Sequence, residues 1–436
     1  MSETWVTETV HGEVVKGGEI QSLINGKEVT FDIKQLRDKI PPHCLHGSLP
    51  RSLAYVFRDL AMFAALLMAV IWLEPKLDTL TSRCLRYLVY PFLAGLPLTG
   101  LWVIGHECGH GGFSTYSAAN NTVGFLLHSA LLTPYFAWRS SHGRHHQYAN
   151  NMSTDLNYVP FTRDEYEDSA HGTASRDHMT EDAPAMVVVR IIIQQVIGWP
   201  WYLLTHITAG PESSPRKSKG WWDNSHFLPS SSLFRESEGV NILASDLGIA
   251  CMCGLLYVAG TSFGFQSLLW GYVLPWMWVN HWIVMVTYLH HTSPDLPKFK
   301  AESWTYLRGA LATVDRDPGF VLRHMLHHII DLHVVHHLFP RIPHYHYHEA
   351  TEAIKPLLGN LYHSDKQNYW RALWEAFTQC QWVEPIPAKT RQARPDHSTK
   401  DAEGVYRTEK DMSDEDGVLW YRGGRMPQPV TVMRGS

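Results

Sequence analysis

Histidine is the residue whose number and spacing in this sequence point to chemistry. The chain has 27 histidines among 436 residues, and many of them fall in three groups at helical spacing. The groups are His106-Glu-Cys-Gly-His110, His142-Gly-Arg-His145-His146 and His333-Val-Val-His336-His337. Residues three and four apart share one face of a helix, so each of the last two groups can offer three nitrogens to one centre. Because imidazole binds iron, copper, zinc and nickel, the spacing predicts a metal site.

The number of these histidines argues for more than one metal ion. A structural zinc ion uses four ligands, fewer than the three groups and the pair His290-His291 can supply. Two metals of higher coordination number fit this supply, and two irons that activate O2 are the economical interpretation. Carboxylate-bridged di-iron bundles need two Glu-x-x-His motifs, and the groups contain one, Glu107–His110. We therefore expect a site built mainly from imidazoles.

Two other interpretations compete with this one. The first group is also an H-E-x-x-H sequence, in which two histidines bind zinc and the glutamate is the general base of a protease. Gly109, Gly111 and Gly112 would loosen the helix that such a protease keeps firm, and the other two groups would have no role. A transporter or a metal-binding structural protein is the non-enzyme alternative, for which single histidine substitutions would reduce function only in part.

Other histidines fit ordinary structural roles. His324-Met-Leu-His327-His328 repeats the spacing of the third group nine residues earlier. Capped or solvated side chains are expected for His43, His46, His171, His178, His206, His226, His344, His346, His348, His363 and His397.

Composition places the chain in a membrane. Charged residues make up 18% of the sequence, below the roughly 25% of soluble domains, and hydrophobic residues make up 45%, which excludes disorder over most of the length. The net charge of -5 argues against a nucleic-acid binder, and 17 tryptophans suit membrane interfaces. Six cysteines without a C-x-x-C pair fit a reducing compartment, and the first 50 residues lack the apolar core of a signal peptide.

Apolar stretches at 60–73, 87–105, 247–263 and 266–289 can cross a bilayer. The first reaches back to Leu53 if Arg58 extends to the headgroups and Asp59 lies at the interface. Short links join the first two stretches and the last two, so the pattern predicts two transmembrane hairpins. The stretches 122–138 and 187–204 contain polar residues and proline, and we expect interfacial or partly buried helices there.

Ligands of one metal site must lie on one side of the membrane. The second and third histidine groups are therefore separated by an even number of crossings, which the hairpin at 247–289 supplies if 187–204 does not cross. Arginines 139, 144, 323 and 341 accompany the groups, as the positive-inside rule asks of a cytosolic face. The predicted fold is an all-α integral membrane protein with four transmembrane helices in two hairpins, interfacial helices and a cytosolic His-rich di-metal domain.

This fold divides the chain into six segments. A cytosolic N-terminal segment (1–52) precedes the first hairpin (53–105), a cytosolic and interfacial region (106–246), the second hairpin (247–291), a cytosolic region with the third histidine group (292–385) and a polar tail (386–436). The last 40 residues are expected to have little order.

Several sequence segments resemble the membrane-bound fatty acid desaturases, specifically the fungal delta-12/omega-3 type. They are Gly-Leu-Trp-Val-Ile-Gly-His-Glu-Cys-Gly-His (100–110), Trp-Arg-Ser-Ser-His-Gly-Arg-His-His (138–146), Thr-Tyr-Leu-His-His-Thr (287–292) and Asp-Leu-His-Val-Val-His-His-Leu-Phe-Pro (331–340). Ile-Pro-Pro-His-Cys at 40–44 is similar to the N-terminal segment of that group, and the resemblance covers roughly residues 30–380.

The resemblance implies an enzyme that uses O2 and two iron ions to insert a cis double bond into an acyl chain, specifically delta-12 desaturation of oleoyl to linoleoyl. It implies metal ligands at His106, His110, His142, His145, His146, His291, His333, His336 and His337. His290 stands where the family usually has Gln, and His327 is expected to support the ligands. Glu107, Asp155 and Asp331 are candidate carboxylates for orienting ligand rings.

The resemblance also implies partners and a location. The substrate is an acyl lipid or an acyl-CoA, in an apolar tunnel whose candidate wall residues are Trp102, Phe136, Trp138, Trp276 and Trp278. No His-Pro-Gly-Gly occurs in the chain, so electrons are expected from a separate cytochrome b5 and its NADH-dependent reductase. The expected location is the endoplasmic reticulum membrane, with both termini and the histidine groups cytosolic. Phe136 and Gly143 depart from the family pattern, and an omega-3 desaturase, an acetylenase or a hydroxylase remains an alternative.

Overall fold

The fold is taken from a computed structural model, which describes residues 23–24, 27–28, 31–168, 183–385 and 417–422. The described α-helices are α1 (Ile33–Lys39), α2 (Leu49–Leu73), α3 (Thr79–Cys84), α4 (Tyr90–His110), α5 (Ser117–Ala130), α6 (Tyr135–Tyr148), α7 (Arg163–Asp168), α8 (Pro184–Thr205), α9 (Gly239–Phe263), α10 (Phe265–Leu268), α11 (Leu274–Leu289), α12 (Tyr306–Leu311), α13 (Gly319–Met325), α14 (His333–Leu338), α15 (Tyr347–Leu358) and α16 (Tyr369–Gln379). The π-helical segments Leu85–Val89 and Leu269–Val273 join α3 to α4 and α10 to α11. Short 3-10 turns cover Pro42–Leu45, Glu74–Lys76, Trp221–Asn224, Glu236–Glu238, His344–His346 and Gly359–Leu361.

Short strands join the loops on one side of the helices. The described strands are β1 (Leu23–Ile24), β2 (Lys27–Glu28), β3 (Phe161–Thr162), β4 (Lys298–Phe299), β5 (Asp315–Arg316), β6 (Ser364–Asp365), β7 (Trp382–Pro385) and β8 (Val418–Tyr421). They form the antiparallel pair β1–β2, the parallel pair β5–β6 and a four-stranded sheet of order β3-β7-β8-β4. In that sheet β8 is antiparallel to both neighbours, and Val383 is paired with Tyr421.

Four helical segments in the described part of the chain are long and apolar enough to cross a membrane. They are Leu49–Lys76, Thr79–His110, Pro184–Thr205 and Glu236–Phe263. Three of them contain the predicted spans 60–73, 87–105 and 247–263. The fourth is α8, which the sequence places at the interface, and not 266–289, where four tryptophans, Asn280 and His281 lower the mean hydropathy. Mean hydropathy therefore selects Pro184–Thr205 rather than 266–289 as a candidate span, which is the reverse of the prediction.

Apolar side chains on the outside of these helices form a surface suited to lipid. On α2 they include Met68, Ile71 and Trp72, on α8 they include Ile192, Ile193 and Val196, and on α9 they include Leu255, Tyr257 and Phe263. Apolar surface of this extent is unfavourable in contact with water, so it supports a membrane location for these helices.

The start of the first membrane helix differs from the expectation. Helix α2 begins at Leu49, and Asp59 is fully buried rather than at the interface. Its carboxylate accepts hydrogen bonds from His327 Nε2 at 2.6 Å and from Arg58 Nε at 2.8 Å. A carboxylate in an apolar helix needs such partners, because a buried charge without them is strongly destabilising.

Helix α4 is the centre of the fold, and it packs against α2, α5 and α11. Its close packing depends on Gly105, where a Cβ atom would lie 2.4 Å from the His128 ring. The helix continues regularly through Gly109 and ends at Gly111, whose φ of 77° is the left-handed conformation typical of a glycine C-cap. His106 and His110 therefore lie on the last two turns of an α-helix that includes Gly109, while Gly111 and Gly112 follow its end.

The predicted interfacial helix at 122–138 is two helices rather than one. Helix α5 ends at Ala130 and α6 begins at Tyr135, with a break in which Leu132 has a φ of 55°. Pro134 precedes α6, and it cannot continue a preceding helix because it lacks a backbone N–H. The break lets α6 turn and present the second histidine group beside α4.

Part of the C-terminal tail is ordered, contrary to the expectation for the last 40 residues. Strand β8 adds Leu419, Trp420 and Tyr421 to the buried surface. Leu419 and Tyr421 pack with Cys380 and Val383 in a small apolar core. The run Val418–Tyr421 consists of four apolar, β-favouring residues, which could have indicated a short buried strand.

Truncation of the chain at Glu415 is expected to remove this strand and to lower the melting temperature by about 5 °C or more, because three buried side chains are lost. Thermal unfolding in detergent measures the change. A matched truncation at Arg425, which keeps β8, is expected to melt like the full chain. Equal melting temperatures for both truncations would contradict the role of β8.

Candidate metal centre

The predicted ligand histidines form two adjacent buried clusters. The first cluster consists of His106, His110, His142, His146 and His336, and the second consists of His145, His291 and His337, with His333 beside them. The ligand nitrogens of the first five residues lie within 4.8 Å of one another, as do those of the three in the second group. The clusters meet where the rings of His146 and His337 stack with centroids 4.1 Å apart. The structure therefore brings all nine predicted residues together.

Each H-x-x-H-H group supplies both clusters, which corrects the expectation of three nitrogens for one centre. His142 and His146 face the first cluster while His145 faces the second. At 3.6 residues per turn, positions i and i+4 differ by about 40° around the helix, while i+3 lies about 60° to the other side. In the third group the assignment is reversed: His336, at position i+3, lies in the first cluster, and His337, at position i+4, lies in the second.

The ring nitrogens are arranged for cations that lie between them. Nε2 atoms face each other at 3.3 Å for His106 and His110, at 3.1 Å for His142 and His146, and at 3.2 Å for His291 and His333. Buried ring nitrogens of His336 and His337 have no hydrogen-bond partner within the described structure. Buried polar atoms normally have partners, so these nitrogens fit a metal centre.

The rings are also in the protonation state that a metal requires. Burial, reinforced by neighbouring imidazoles, holds the pKa of His142, His146, His336 and His337 well below the ordinary value. Burial lowers the pKa of His333 to about 3. Neutral imidazoles offer a lone pair, and metals bind the deprotonated ligand.

Hydrogen bonds at Nδ1 orient three of the rings. His145 donates to Asp155 at 2.6 Å, His333 donates to the Ile329 carbonyl at 3.0 Å, and His336 lies 2.8 Å from the Tyr347 hydroxyl. A proton held at Nδ1 leaves the Nε2 lone pair for the metal. The prediction that Asp155 orients a ligand ring agrees with this geometry.

Asp155 is held as a charged acceptor. It also accepts hydrogen bonds from the backbone N–H groups of Asn150 and Asn157. Burial by itself would raise its pKa, but the hydrogen bond from His145, together with the charge of Lys298 and the backbone N–H of Asn157, holds the pKa of Asp155 below its ordinary value. A charged carboxylate at this position stabilises the required tautomer of His145.

Lys298 is a buried member of this region that sequence reasoning missed. Its Nζ donates to Asn150 Oδ1 at 2.6 Å and to the carbonyl of His291 at 2.9 Å. Burial lowers the pKa of Lys298 to about 8, an effect that Asp155 opposes. No motif marks this lysine, because its role depends on strand β4 running beside the second cluster.

Glu107 does not point into the site. Its two oxygens accept hydrogen bonds from the backbone N–H of His344 at 2.6 Å and from His344 Nδ1 at 2.8 Å. Glu107 therefore does not hydrogen-bond a ligand ring itself, but it interacts with Tyr347, whose hydroxyl lies beside His336. The geometry also opposes the zinc protease interpretation, because the glutamate of that mechanism must face the metal-bound water.

The remaining predicted supports lie away from the ligands. Asp331 pairs with His328 and Arg323, and His327 pairs with Asp59. Neither Asp331 nor His327 contacts a predicted ligand ring, so the structure does not support the role expected for either residue. Sequence proximity to the third histidine group suggested them, but the turns at 326–332 direct their side chains outward or towards α2.

The pair at the end of α11 separates into two roles. His291 belongs to the second cluster, whereas His290 Nδ1 donates to the carbonyl of Val314 at 2.6 Å. His206 and His226 are buried rather than solvated, and His226 lies 2.9 Å from the Ser141 hydroxyl. His46 and His348 are exposed, as expected, while His171, His178 and His397 lie outside the described residues.

A narrow, largely apolar cavity is lined by histidines of both clusters. Its walls include Thr99, Trp102, Val103, Asn157, Trp282, Ile283, Val286, Thr287 and Ile329. Of the five predicted wall residues, Trp102 lines this cavity, whereas Trp138 stacks on His142 and Trp276 donates to the carbonyl of Leu131. Phe136 packs on Phe125, and Trp278 packs on Phe92.

A buried imidazole site that could hold metal, an apolar cavity beside it and apolar membrane helices together define a membrane enzyme for an apolar substrate. Residues 83–369 match the model of the fatty acid desaturase family. The chain belongs to the fatty acid desaturase family. It is thus a metal-dependent oxidoreductase of the acyl-lipid desaturase class, as the sequence predicts.

Three relatives share most of their length with this chain. An oleate hydroxylase of Claviceps purpurea is 40% identical over 374 residues, which cover 81% of this chain and 78% of the relative. A delta(12) fatty acid desaturase of Mortierella isabellina is 38% identical, over 81% of this chain and 88% of the relative. An omega-6 fatty acid desaturase of Brassica juncea, described as endoplasmic reticulum, is 37% identical, over 81% and 88%.

Replacement of Asp155 by asparagine is expected to lower metal affinity at least about 10-fold, because His145 loses its charged acceptor. Metal content of the purified protein measures this, by elemental analysis after dialysis against a weak chelator. Asp331→Asn is the matched control, since Asp331 contacts no ligand ring, and it is expected to retain its metal. Equal metal content in the two variants would contradict the role of Asp155.

The two histidines at the end of α11 give a second test. His291→Gln is expected to lose metal from the second cluster, because the amide is a poor substitute for an imidazole ligand. His290→Gln is expected to keep it, since the glutamine amide can still donate to the Val314 carbonyl. Metal content and activity are compared in both variants, and a stronger loss in the His290 variant would reverse the assignment.

Proposed function

We propose that this protein is a delta-12 fatty acid desaturase that converts an oleoyl chain to linoleoyl with O2 and two iron ions. The observation that carries the proposal is the pair of imidazole clusters at the end of one apolar cavity. Each cluster contributes enough neutral rings to hold one ion, and the two relatives named for delta-12 or omega-6 desaturation supply the position of the double bond. The nine histidines named above are the proposed iron ligands.

The part that the protein plays follows from its own residues. Bound iron would supply the oxidising power towards an unactivated C–H bond that no protein acid or base has. The cavity walls Trp282, Ile283 and Val286 exclude water and hold the acyl chain beside both clusters. Asp155 and Tyr347 hold His145 and His336 in the orientations that bind metal. The cavity therefore determines which carbons of the chain approach the metals.

Hydroxylation is a second candidate, because the hydroxylase of Claviceps purpurea is 40% identical to this chain. The two reactions share the removal of the first hydrogen and differ in whether a second hydrogen or an oxygen atom is transferred next. Placement of the acyl chain relative to the two clusters decides between them, and Thr287 and Asn157 are the polar side chains of the cavity wall, beside Thr99 and the histidines, that could influence it.

Expression in yeast that makes oleate but no linoleate tests the reaction. Fatty-acid methyl esters are analysed by gas chromatography–mass spectrometry, and a diene with its second double bond at the delta-12 position is expected. His336→Ala should reduce the product at least about 100-fold because a ligand is lost, whereas His324→Ala, in the similar H-x-x-H-H sequence outside the clusters, should retain it. A hydroxylated product would favour the second candidate, and clusters that hold zinc but no iron would overturn the proposal.

We also propose the membrane topology. Helices α2, α3–α4, α9 and α10–α11 cross as two hairpins, while α8 lies at the cytosolic interface. Two contacts support the interfacial position of α8. Tyr202, near the end of α8, donates to the Leu156 carbonyl. The helix also packs on α16, whose Tyr369 lies 3.4 Å from His290. These contacts keep α8 beside the histidine clusters, and an even number of crossings then separates the second and third histidine groups.

Glycosylation acceptors report this topology. Acceptors placed after Lys76 and at Gly264 are expected to be modified, because both turns then face the lumen of the endoplasmic reticulum. An acceptor in the segment 211–219, between α8 and α9, should remain unmodified. Modification of that third acceptor would show that α8 crosses the membrane.

The remaining assignments concern location and electrons. The endoplasmic reticulum is supported by the description of the Brassica juncea relative. A separate cytochrome b5 and its NADH-dependent reductase are proposed as the electron source, with cytosolic termini and an acyl lipid or acyl-CoA as substrate. Reconstitution with NADH, the reductase and cytochrome b5 should support turnover that stops when cytochrome b5 is omitted.

A further inference from the structure

Outside the two histidine clusters, a third group of metal-type side chains lies where the N-terminal segment meets helix α15. His43, Cys44, His346 and Glu349 each bring one potential ligand atom to within 4.8 Å of the others. His43 Nε2 lies 2.9 Å from Glu349 Oε2 and 3.5 Å from Cys44 Sγ. The four residues come from two segments about 300 positions apart, and none of them belongs to the two clusters described above.

Local structure on both segments directs these side chains to one point. Cys44 lies in the turn Pro42–Leu45 and donates its N–H to the Pro41 carbonyl at 2.9 Å. His346 ends a 3-10 turn, and Glu349 follows three residues later in the first turn of α15. Residues at this spacing share a helix face, so both side chains point to the N-terminal segment.

The group is open on one side and closed on the other. Cys44 is fully buried and packs in the apolar core that contains Leu36 and Ile354, while His43 and Glu349 are exposed. A metal ion can therefore enter from solvent and be shielded by the core on its inner side. Burial and the Glu349 carboxylate raise the pKa of the Cys44 thiol to about 11, a penalty that a bound cation would remove.

We propose that His43, Cys44, His346 and Glu349 bind one Zn²⁺ in a structural site separate from the two iron clusters. Two imidazoles, one thiolate and one carboxylate form a four-ligand set, which suits tetrahedral zinc. The thiolate disfavours magnesium and calcium, which prefer oxygen ligands. Four protein ligands leave no position for a water molecule, so the ion stabilises structure and does not perform catalysis.

The site ties the N-terminal segment to the helix that supports the first cluster. His346 and Glu349 flank Tyr347, whose hydroxyl lies 2.8 Å from His336 Nδ1. A zinc ion at this position holds the start of α15 and with it Tyr347. The proposal does not depend on the metal in the two clusters, although it places a second kind of metal close to them.

Cobalt(II) tests the site in the full-length protein purified in detergent. A thiolate–cobalt bond gives an intense near-ultraviolet charge-transfer band, and the two iron clusters contain no cysteine. Added Co²⁺ is expected to produce this band in the unmodified protein and not in Cys44→Ser. Cys253→Ser, which changes an exposed cysteine outside the group, is the control and is expected to keep the band.

Zinc content is measured in the same preparations by elemental analysis. The expected value is about one zinc per chain, falling to less than about a tenth in Cys44→Ser and His346→Gln. An unmodified protein without zinc and without the thiolate band would overturn the proposal, as would a Cys44→Ser variant that keeps both. Zinc content and the thiolate band of the unmodified protein decide the question by themselves, so a variant that fails to fold does not weaken the test. Iron content of the same preparations reports separately on the two histidine clusters.

Discussion

The fold depends on nine imidazoles that are packed against one another in the protein interior. Burial disfavours protonated histidine, and ring nitrogens that face each other at 3.1 to 3.3 Å must either share a proton or hold a cation between them. The surrounding protein must therefore supply partners for the outward nitrogens and a dry wall for the inward ones. Asp155, Tyr347 and the Ile329 carbonyl provide the partners. The core around α4 and α11 provides the wall.

The membrane helices and the loops divide this task. Helix α4 brings the first histidine group to its last turn, and Gly111 ends the helix there. The break before α6 turns the second group towards it, while the end of α11 and the short helix α14 complete the site from the other side. The same helices leave the apolar cavity between them, so the walls that hold an acyl chain and the supports that hold the ligands belong to one packed unit.

Sequence reasoning found the histidines that cluster because spacing on a helix is local. His106 and His110, or His142 and His146, share a face whatever surrounds them, and the family resemblance selected His291 over His290. Sequence reasoning did not predict the contacts of Glu107 and Asp331, and four of the five predicted tunnel aromatics, all except Trp102, do not line the cavity. These contacts depend on how distant helices pack. Lys298 and the strand Val418–Tyr421 were missed for the same reason: Asn150, which accepts from Lys298, and strand β7, which pairs with β8, are distant in the sequence. Three of the predicted spans lie within helices that are long and apolar enough to cross a membrane. The burial of Asp59 could not be predicted, because it depends on a hydrogen bond with His327, which is distant in the sequence.

The division of each H-x-x-H-H group between the two clusters has a consequence for assembly. Helix α6 and helix α14 each carry rings for both clusters, so an ion that enters one cluster fixes helices that also hold ligands of the other. If each cluster takes one ion, as proposed, the second ion meets rings whose ordering entropy has already been lost, and metal loading is then cooperative. Under that proposal, chains with a single ion are sparsely populated, and a limited supply of metal yields a mixture of full and empty molecules.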